Sequence, residues 1–162
     1  MNQSLRYISI SHKTTSVKQR EVFHIPMEKK SDYTQLICNT FPDIVGLLLL
    51  TTCNRTEIYF ETKTHSATSI RDFLINLKTP KNSSVDEKLF EFSDTTEATV
   101  KHLLEVSSGL ESSVLGDSEI IHQIKKSYQF SMTHKLQGSL LERALQSVFK
   151  SHKRISNETN FR

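Results

Sequence analysis

Ile44–Leu50 is an unbroken apolar run of seven residues, IVGLLLL, and it restricts the folds open to this chain more than any other stretch. It is far too short to cross a bilayer, which takes about 20 apolar residues in a helix. A short continuous run without alternation reads instead as a strand, Ile44–Thr51, buried on both faces. Such a strand needs packing partners on each side, so the rest of the chain must supply two covering layers. Thr56–Thr62 carries Ile58, Tyr59 and Phe60 and reads as a second strand. Only the polar stretch Thr52-Cys53-Asn54-Arg55 separates the two, which predicts a tight antiparallel hairpin.

The flanking segments fit around that hairpin. Leu5–His12 alternates in part and reads as a strand, and Glu28–Phe41 has Tyr33, Leu36, Ile37 and Phe41 at helical spacing. Pro42 stops that helix. Ser66–Leu77 reads as a helix, Thr79–Asp86 as a loop and Lys88–Phe92 as a short strand. The order is βαββαβ, the split arrangement of ferredoxin-like folds, with a core ending near residue 93. Thr95–Val106, Asp117–Thr133 and Ser139–Asn157 then read as three further helices. The expected class is therefore α+β, with residues 1–138 as one domain and 139–162 as the beginning of a connecting helix.

Composition narrows the function classes. Four glycines and three prolines in 162 residues argue against disorder. The N-terminus lacks the apolar stretch of a secretory signal. Two cysteines with no CxxC spacing make neither a disulfide framework nor a structural zinc site, which fits a reduced, cytoplasmic protein. A net charge of +3 permits a polyanionic partner without demanding one. No GxGxxG fingerprint for a dinucleotide is present, and the basic ending HKRISNETNFR suggests a chain that continues.

Four features bear on chemistry. Cys53 sits at a strand end, where a thiol is held firmly and faced toward a cleft, with Arg55 near enough to favour the thiolate. The alternative is a small buried hydrophobe, the commoner fate of a cysteine. His102, on a helix beside Leu103 and Val106, is either a satisfied rim residue or an acid/base partner of Cys53. The hydroxyl-rich Ser107–Ser113 either caps a helix or receives an anion. Lys125, Lys126, Lys150, His152, Lys153 and Arg154 form either a solvated face or a phosphate-contacting one. No metal-ligand spacing appears among the other histidines.

The strings LLLTTCNRTEIY, SSGLESSVLGDSEIIHQIKKSY and KRISNET, with SISHKTTSVKQRE near the start, resemble the glutamyl-tRNA reductase family over nearly the whole chain. The resemblance implies NADPH-dependent reduction of glutamyl-tRNA to glutamate-1-semialdehyde, the entry into five-carbon tetrapyrrole synthesis. Cys53 would attack the aminoacyl ester and form a thioester, and hydride from NADPH would reduce it. By matched position Thr52, Arg55 and Ser112 would hold the glutamyl group, with Asn54 and Ser118 as further substrate contacts and His102 assisting. The family is a V-shaped homodimer, so the NADPH-binding and dimerisation domains would be absent here and Ser139–Arg162 would open a long spinal helix. Glutamate-1-semialdehyde aminomutase would be a partner by family. The chain departs from the family's pattern at Ser16, Ser113, Asp117 and Ser118, where Pro, Met, Glu and Gln or Pro are usual. Two rival classes stay open at this point: a tRNA-docking module without catalysis, and an unrelated cysteine hydrolase.

Overall fold

The computed structural model describes residues 2–109 and 119–159. Four strands, β1 (Ser4–Ser11), β2 (Gly46–Thr52), β3 (Arg55–Thr62) and β4 (Glu91–Ser93), form one sheet in the order β2-β3-β1-β4. Each neighbouring pair is antiparallel. The helices are α1 (Val17–Phe23), α2 (Lys30–Thr40), α3 (Ala67–Lys78), α4 (Thr96–Ser107), α5 (Glu119–Thr133) and α6 (Ser139–Thr159).

The apolar run behaves as its pattern demands. Its leucines alternate between two cores because successive strand side chains point to opposite faces. Leu48 and Leu50 join Leu5, Tyr7 and Tyr59 against α4, α5 and α6. Leu47 and Leu49 join Ile8, Ile10, Ile58 and Phe60 against Phe23 of α1, Ile37 of α2 and Ile70 and Leu74 of α3. All eight residues of β3 are buried. The first half of α6 belongs to the same core, through Leu141, Ala144, Leu145 and Val148.

Three expectations need adjustment. The strand expected at Lys88–Phe92 lies at Glu91–Ser93, because Asp86 accepts from the Lys88 N–H at 2.9 Å and starts a 3-10 turn over Glu87–Leu89. The helix expected from Glu28 begins at Lys30, after a 3-10 turn over Met27–Lys29 that follows Pro26. Helix α1 is an addition. Only Phe23 of its seven residues is buried, so it has no apolar stripe to read. Its signature is a capping box instead: Ser16 Oγ accepts from the Gln19 N–H at 3.2 Å, and Gln19 Oε1 accepts from the Ser16 N–H at 2.8 Å.

One buried carboxylate ties the last helix to the sheet. Glu61 of β3 is 1% exposed, and its Oε1 accepts the Leu140 and Leu141 N–H groups at 2.9 and 3.0 Å. These are first-turn donors that the helix itself cannot satisfy. Gly138 makes room for this cap, since a Cβ there would lie 2.5 Å from Glu61 Oε1, and its φ of +55° suits glycine. The segment just before α6 also covers the free edge of β2, with the Leu47 N–H donating to the Leu136 carbonyl at 2.8 Å.

Candidate active site

The pairing of Thr52 with Arg55 leaves Cys53 and Asn54 as a two-residue turn between β2 and β3. Neither residue has a positive φ. The Asn54 N–H donates to Thr52 Oγ1 at 3.2 Å, and the Asn54 carbonyl accepts from the His12 N–H at 3.1 Å, which fastens the turn to the end of β1. Cys53 is therefore exposed on a turn whose backbone is anchored from both sides.

Among the described residues, two hollows open beside this thiol. One, of about 200 Å³, is lined by Thr51–Arg55 with Glu119, Ile120 and Gln123 of α5. The other, of about 280 Å³, lies against α1 and is lined by Val17, Arg20, Glu21, His24, Thr52, Cys53, Arg55 and Thr56. Thr52, Cys53 and Arg55 border both.

Arg55 is held from behind. Its side chain is 2% exposed and its Nη1 donates to Glu57 Oε2 at 3.1 Å. Strand alternation puts Arg55, Glu57 and Tyr59 on one face, so the pairing follows from the i, i+2 spacing. Glu57 is fully buried and gathers three more groups. Ser9 Oγ donates to Oε2 at 2.6 Å, Tyr59 Oη donates to Oε1 at 2.7 Å, and His102 Nε2 lies 2.7 Å from Oε2. Tyr7 stacks on the His102 ring with centroids 4.1 Å apart, fixing the imidazole plane.

The electrostatics of this cluster are dominated by two opposed effects. Burial by itself would push the Glu57 carboxyl up. The hydrogen bond and charge of His102, the charge of Arg55 and the Ser9 hydroxyl outweigh it and hold the group at about 2. Glu57 is thus a carboxylate at neutral pH. Burial, and then the neighbouring Glu57, push the Tyr59 phenol well up, so Tyr59 keeps its proton and donates it.

The placement of the sequence candidates is now plain. Thr52, Asn54 and Arg55 gather around Cys53. His102 is part of neither hollow's lining and connects to the thiol's surroundings through Glu57 and Arg55. Ser112 and Ser118 lie outside the described residues. Sequence reasoning passed over Glu57, although a carboxylate inside the run EIYFE, two places after an arginine, was its signal. It also passed over Arg20 and Glu21 of α1 and His24 at its C-terminal cap as site residues, because that helix went unread.

Cys38 offers a built-in comparison. It is half-buried on α2, and burial pushes its thiol up. Iodoacetamide should therefore modify Cys53 well before Cys38, as read by peptide mass spectrometry over a time course. Equal rates would contradict this placement of the two thiols.

Among the described residues no group of three or more His, Cys, Asp or Glu could hold a metal ion. A dinucleotide cradle needs a parallel strand, a glycine-rich turn and a helix. The sheet is antiparallel, and Gly46, Gly109 and Gly138 are too widely separated in sequence to share one glycine-rich turn, so the described residues do not fit a nicotinamide dinucleotide.

Comparison with known proteins decides the family. Residues 8–159 match the model of the glutamyl-tRNAGlu reductase N-terminal domain. The chain belongs to that family. A glutamyl-tRNA reductase from a Synechococcus species is 34% identical over 158 residues, which covers 96% of this chain and 35% of that protein. One from Cytophaga hutchinsonii is 33% identical over 162 residues, covering 100% of this chain and 38% of that protein. The solved glutamyl-tRNA reductase of Methanopyrus kandleri superposes with a TM-score of 0.68 at 25% identity, over 93% of this chain and 35% of that one. The chain thus spans little more than a third of the length of these relatives. Its hairpin thiol lies inside the matched glutamyl-tRNA reductase domain.

Proposed function

We propose that this chain is the glutamyl-transfer part of a glutamyl-tRNA reductase, an oxidoreductase of tetrapyrrole synthesis, and that Cys53 is its nucleophile. The observation that carries the reading is the exposed Cys53, on an anchored turn between two hollows that share Arg55. The Cys53 thiolate attacks the ester carbonyl of glutamyl-tRNA. A C–S bond forms, the C–O bond to the terminal ribose breaks, and the ribose oxygen takes up a proton. A thiolate suits the first step because it is a strong nucleophile near neutral pH.

Arg55 is the group best suited to the substrate's carboxylate. A guanidinium has five N–H donors in a fixed fork. Glu57 orients that fork by accepting from Nη1. Thr52 and Asn54 supply hydrogen-bonding groups at the turn, and Ser112 and Ser118 are proposed as further contacts. His102 is proposed to assist through Glu57, which fixes its ring, rather than as the base that activates the thiol.

Reduction is proposed to need NADPH bound by the portion of the relatives that this chain does not cover. On the same footing, the strand order is read as a ferredoxin-like core in a domain of residues 1–138. Helix α6 is read as the start of a spinal helix leading toward cofactor and dimerisation domains, with the whole protein a homodimer. Exposed Lys125, Lys126, Lys150 and Lys153 are proposed to contact tRNA phosphates. The semialdehyde product would pass to an aminomutase. Two unpaired cysteines suit a cytoplasmic setting, and no described helix is long and apolar enough to cross a membrane.

The test is the fate of glutamyl-tRNA mixed with this chain. The expected products are free tRNA and free glutamate, from a thioester that water slowly cleaves, with or without NADPH. Semialdehyde in the NADPH sample would contradict the placing of reduction outside these residues.

A further inference from the structure

Acyl transfer at Cys53 has two sides. The acyl carbon carries the glutamyl chain in one direction and the departing oxygen in the other, so a nucleophile serving a large ester needs room on both. Cys53 has this arrangement, with one hollow toward α5 and one toward α1. The α5 side is the smaller, and it alone is bordered by Asn54 and by the start of α5. That side suits the compact glutamyl group. The larger hollow, about 280 Å³, is left for the leaving group.

We propose that the hollow between α1 and the Cys53 turn binds the terminal nucleoside of the tRNA, with Arg20, Glu21 and His24 as its specificity-determining residues. The inference rests on the acyl-transfer reading of Cys53 and adds the place of the second half of the substrate. The lining has the mixed character that a nucleoside requires. Val17 is 62% exposed and offers an apolar face for a base. The Glu21 carboxylate can accept from ribose hydroxyls or an exocyclic amine, and its negative charge disfavours a phosphate at the same spot. The Arg20 guanidinium is fastened by Nη1 donating to the Thr15 carbonyl at 2.9 Å, while its shielded Nε has no acceptor. The His24 ring is braced by Thr51 Oγ1, 3.1 Å from its Nδ1. A flat ring and a flat guanidinium on one short helix and its cap give a base surfaces to stack on.

The test compares two acyl donors on the intact chain: the glutamyl ester of adenosine and glutamate α-ethyl ester, which lacks the nucleoside. Acylation of Cys53 is followed by mass spectrometry. The unaltered chain should prefer the adenosine ester. Glu21→Gln, His24→Ala and Arg20→Lys should each reduce that preference about tenfold, the size of a lost hydrogen bond to a charged group. Glu21 and His24 are exposed, so their variants should fold, and a thermal melt checks this. A second reading needs no acylation: excess free adenosine should slow iodoacetamide modification of Cys53, and the three variants should weaken that protection. Unchanged preference or absent protection would overturn the nucleoside site. Protection by nicotinamide mononucleotide in place of adenosine would overturn it too, assigning the hollow to the hydride donor. Intact protection without acylation by either donor would sink the acyl-transfer reading while leaving the nucleoside site standing.

Discussion

Glu57→Ala should destabilise the fold by about 3–5 kcal/mol, the usual cost of removing one partner from a buried ion pair. The substitution strips the carboxylate from a cluster in which Arg55 is 2% exposed and His102 is 6% exposed. Their charges and donors cannot move into water without opening the sheet–α4 contact. Ser9 and Tyr59 lose the same acceptor. Total stabilities of about 5–15 kcal/mol make such a loss close to unfolding for many domains. Glu21→Ala is the control, because an exposed carboxylate should change stability by less than about 0.5 kcal/mol. Urea unfolding of both variants provides the comparison. Equal midpoints would contradict the cluster's role.

The same group fixes a pH dependence. Its folded value, about 2, lies below the unfolded glutamate value of about 4.3. A lowered folded pKa stabilises the protein above the unfolded value, and the contribution fades as pH falls from about 5 toward 2. Unfolding free energies should decline over that window in the unaltered chain. Glu57→Gln, which cannot ionise, should flatten the decline.

How much of this was legible in the sequence depended on whether the signal was periodic or spatial. The hairpin was readable because IVGLLLL and EIYF flank a six-residue polar stretch, TTCNRT, and each pattern is local. The long helices were readable because they bury a stripe, as α5 does with Ile120, Ile121, Ile124 and Tyr128. Helix α1 was hidden because it buries one residue, and with it went one wall of the cavity beside Cys53. The pairing of His102 with Glu57 spans 45 positions and rests on sheet register, which no short window encodes. The expectation that His102 assists the thiol carried no hint of Glu57, the buried carboxylate that accepts from Arg55 and contacts the histidine ring. Likewise, the sequence shows Glu61 and Gly138 as unrelated residues, whereas folding makes one the cap of α6 and the other the space for that cap.

Cys53→Ser should lower tRNA release from glutamyl-tRNA by about three orders of magnitude or more, the scale seen when an enzyme loses its nucleophile. A serine hydroxyl is a weak nucleophile unless an adjacent base activates it. The histidine of the buried cluster faces Glu57 at 2.7 Å and lines neither hollow, so it is not placed to activate a serine at position 53. Cys38→Ser should change the rate little, since burial pushes that thiol up and Cys38 lines neither hollow beside Cys53. The most direct measurement is mass spectrometry of the chain after rapid acid quench with glutamyl-tRNA, followed by fragmentation to find the modified residue. The account predicts one glutamyl group, carried on the peptide containing Cys53 and absent from Cys53→Ser. An adduct on any other residue, or tRNA release at full rate in Cys53→Ser, would contradict it.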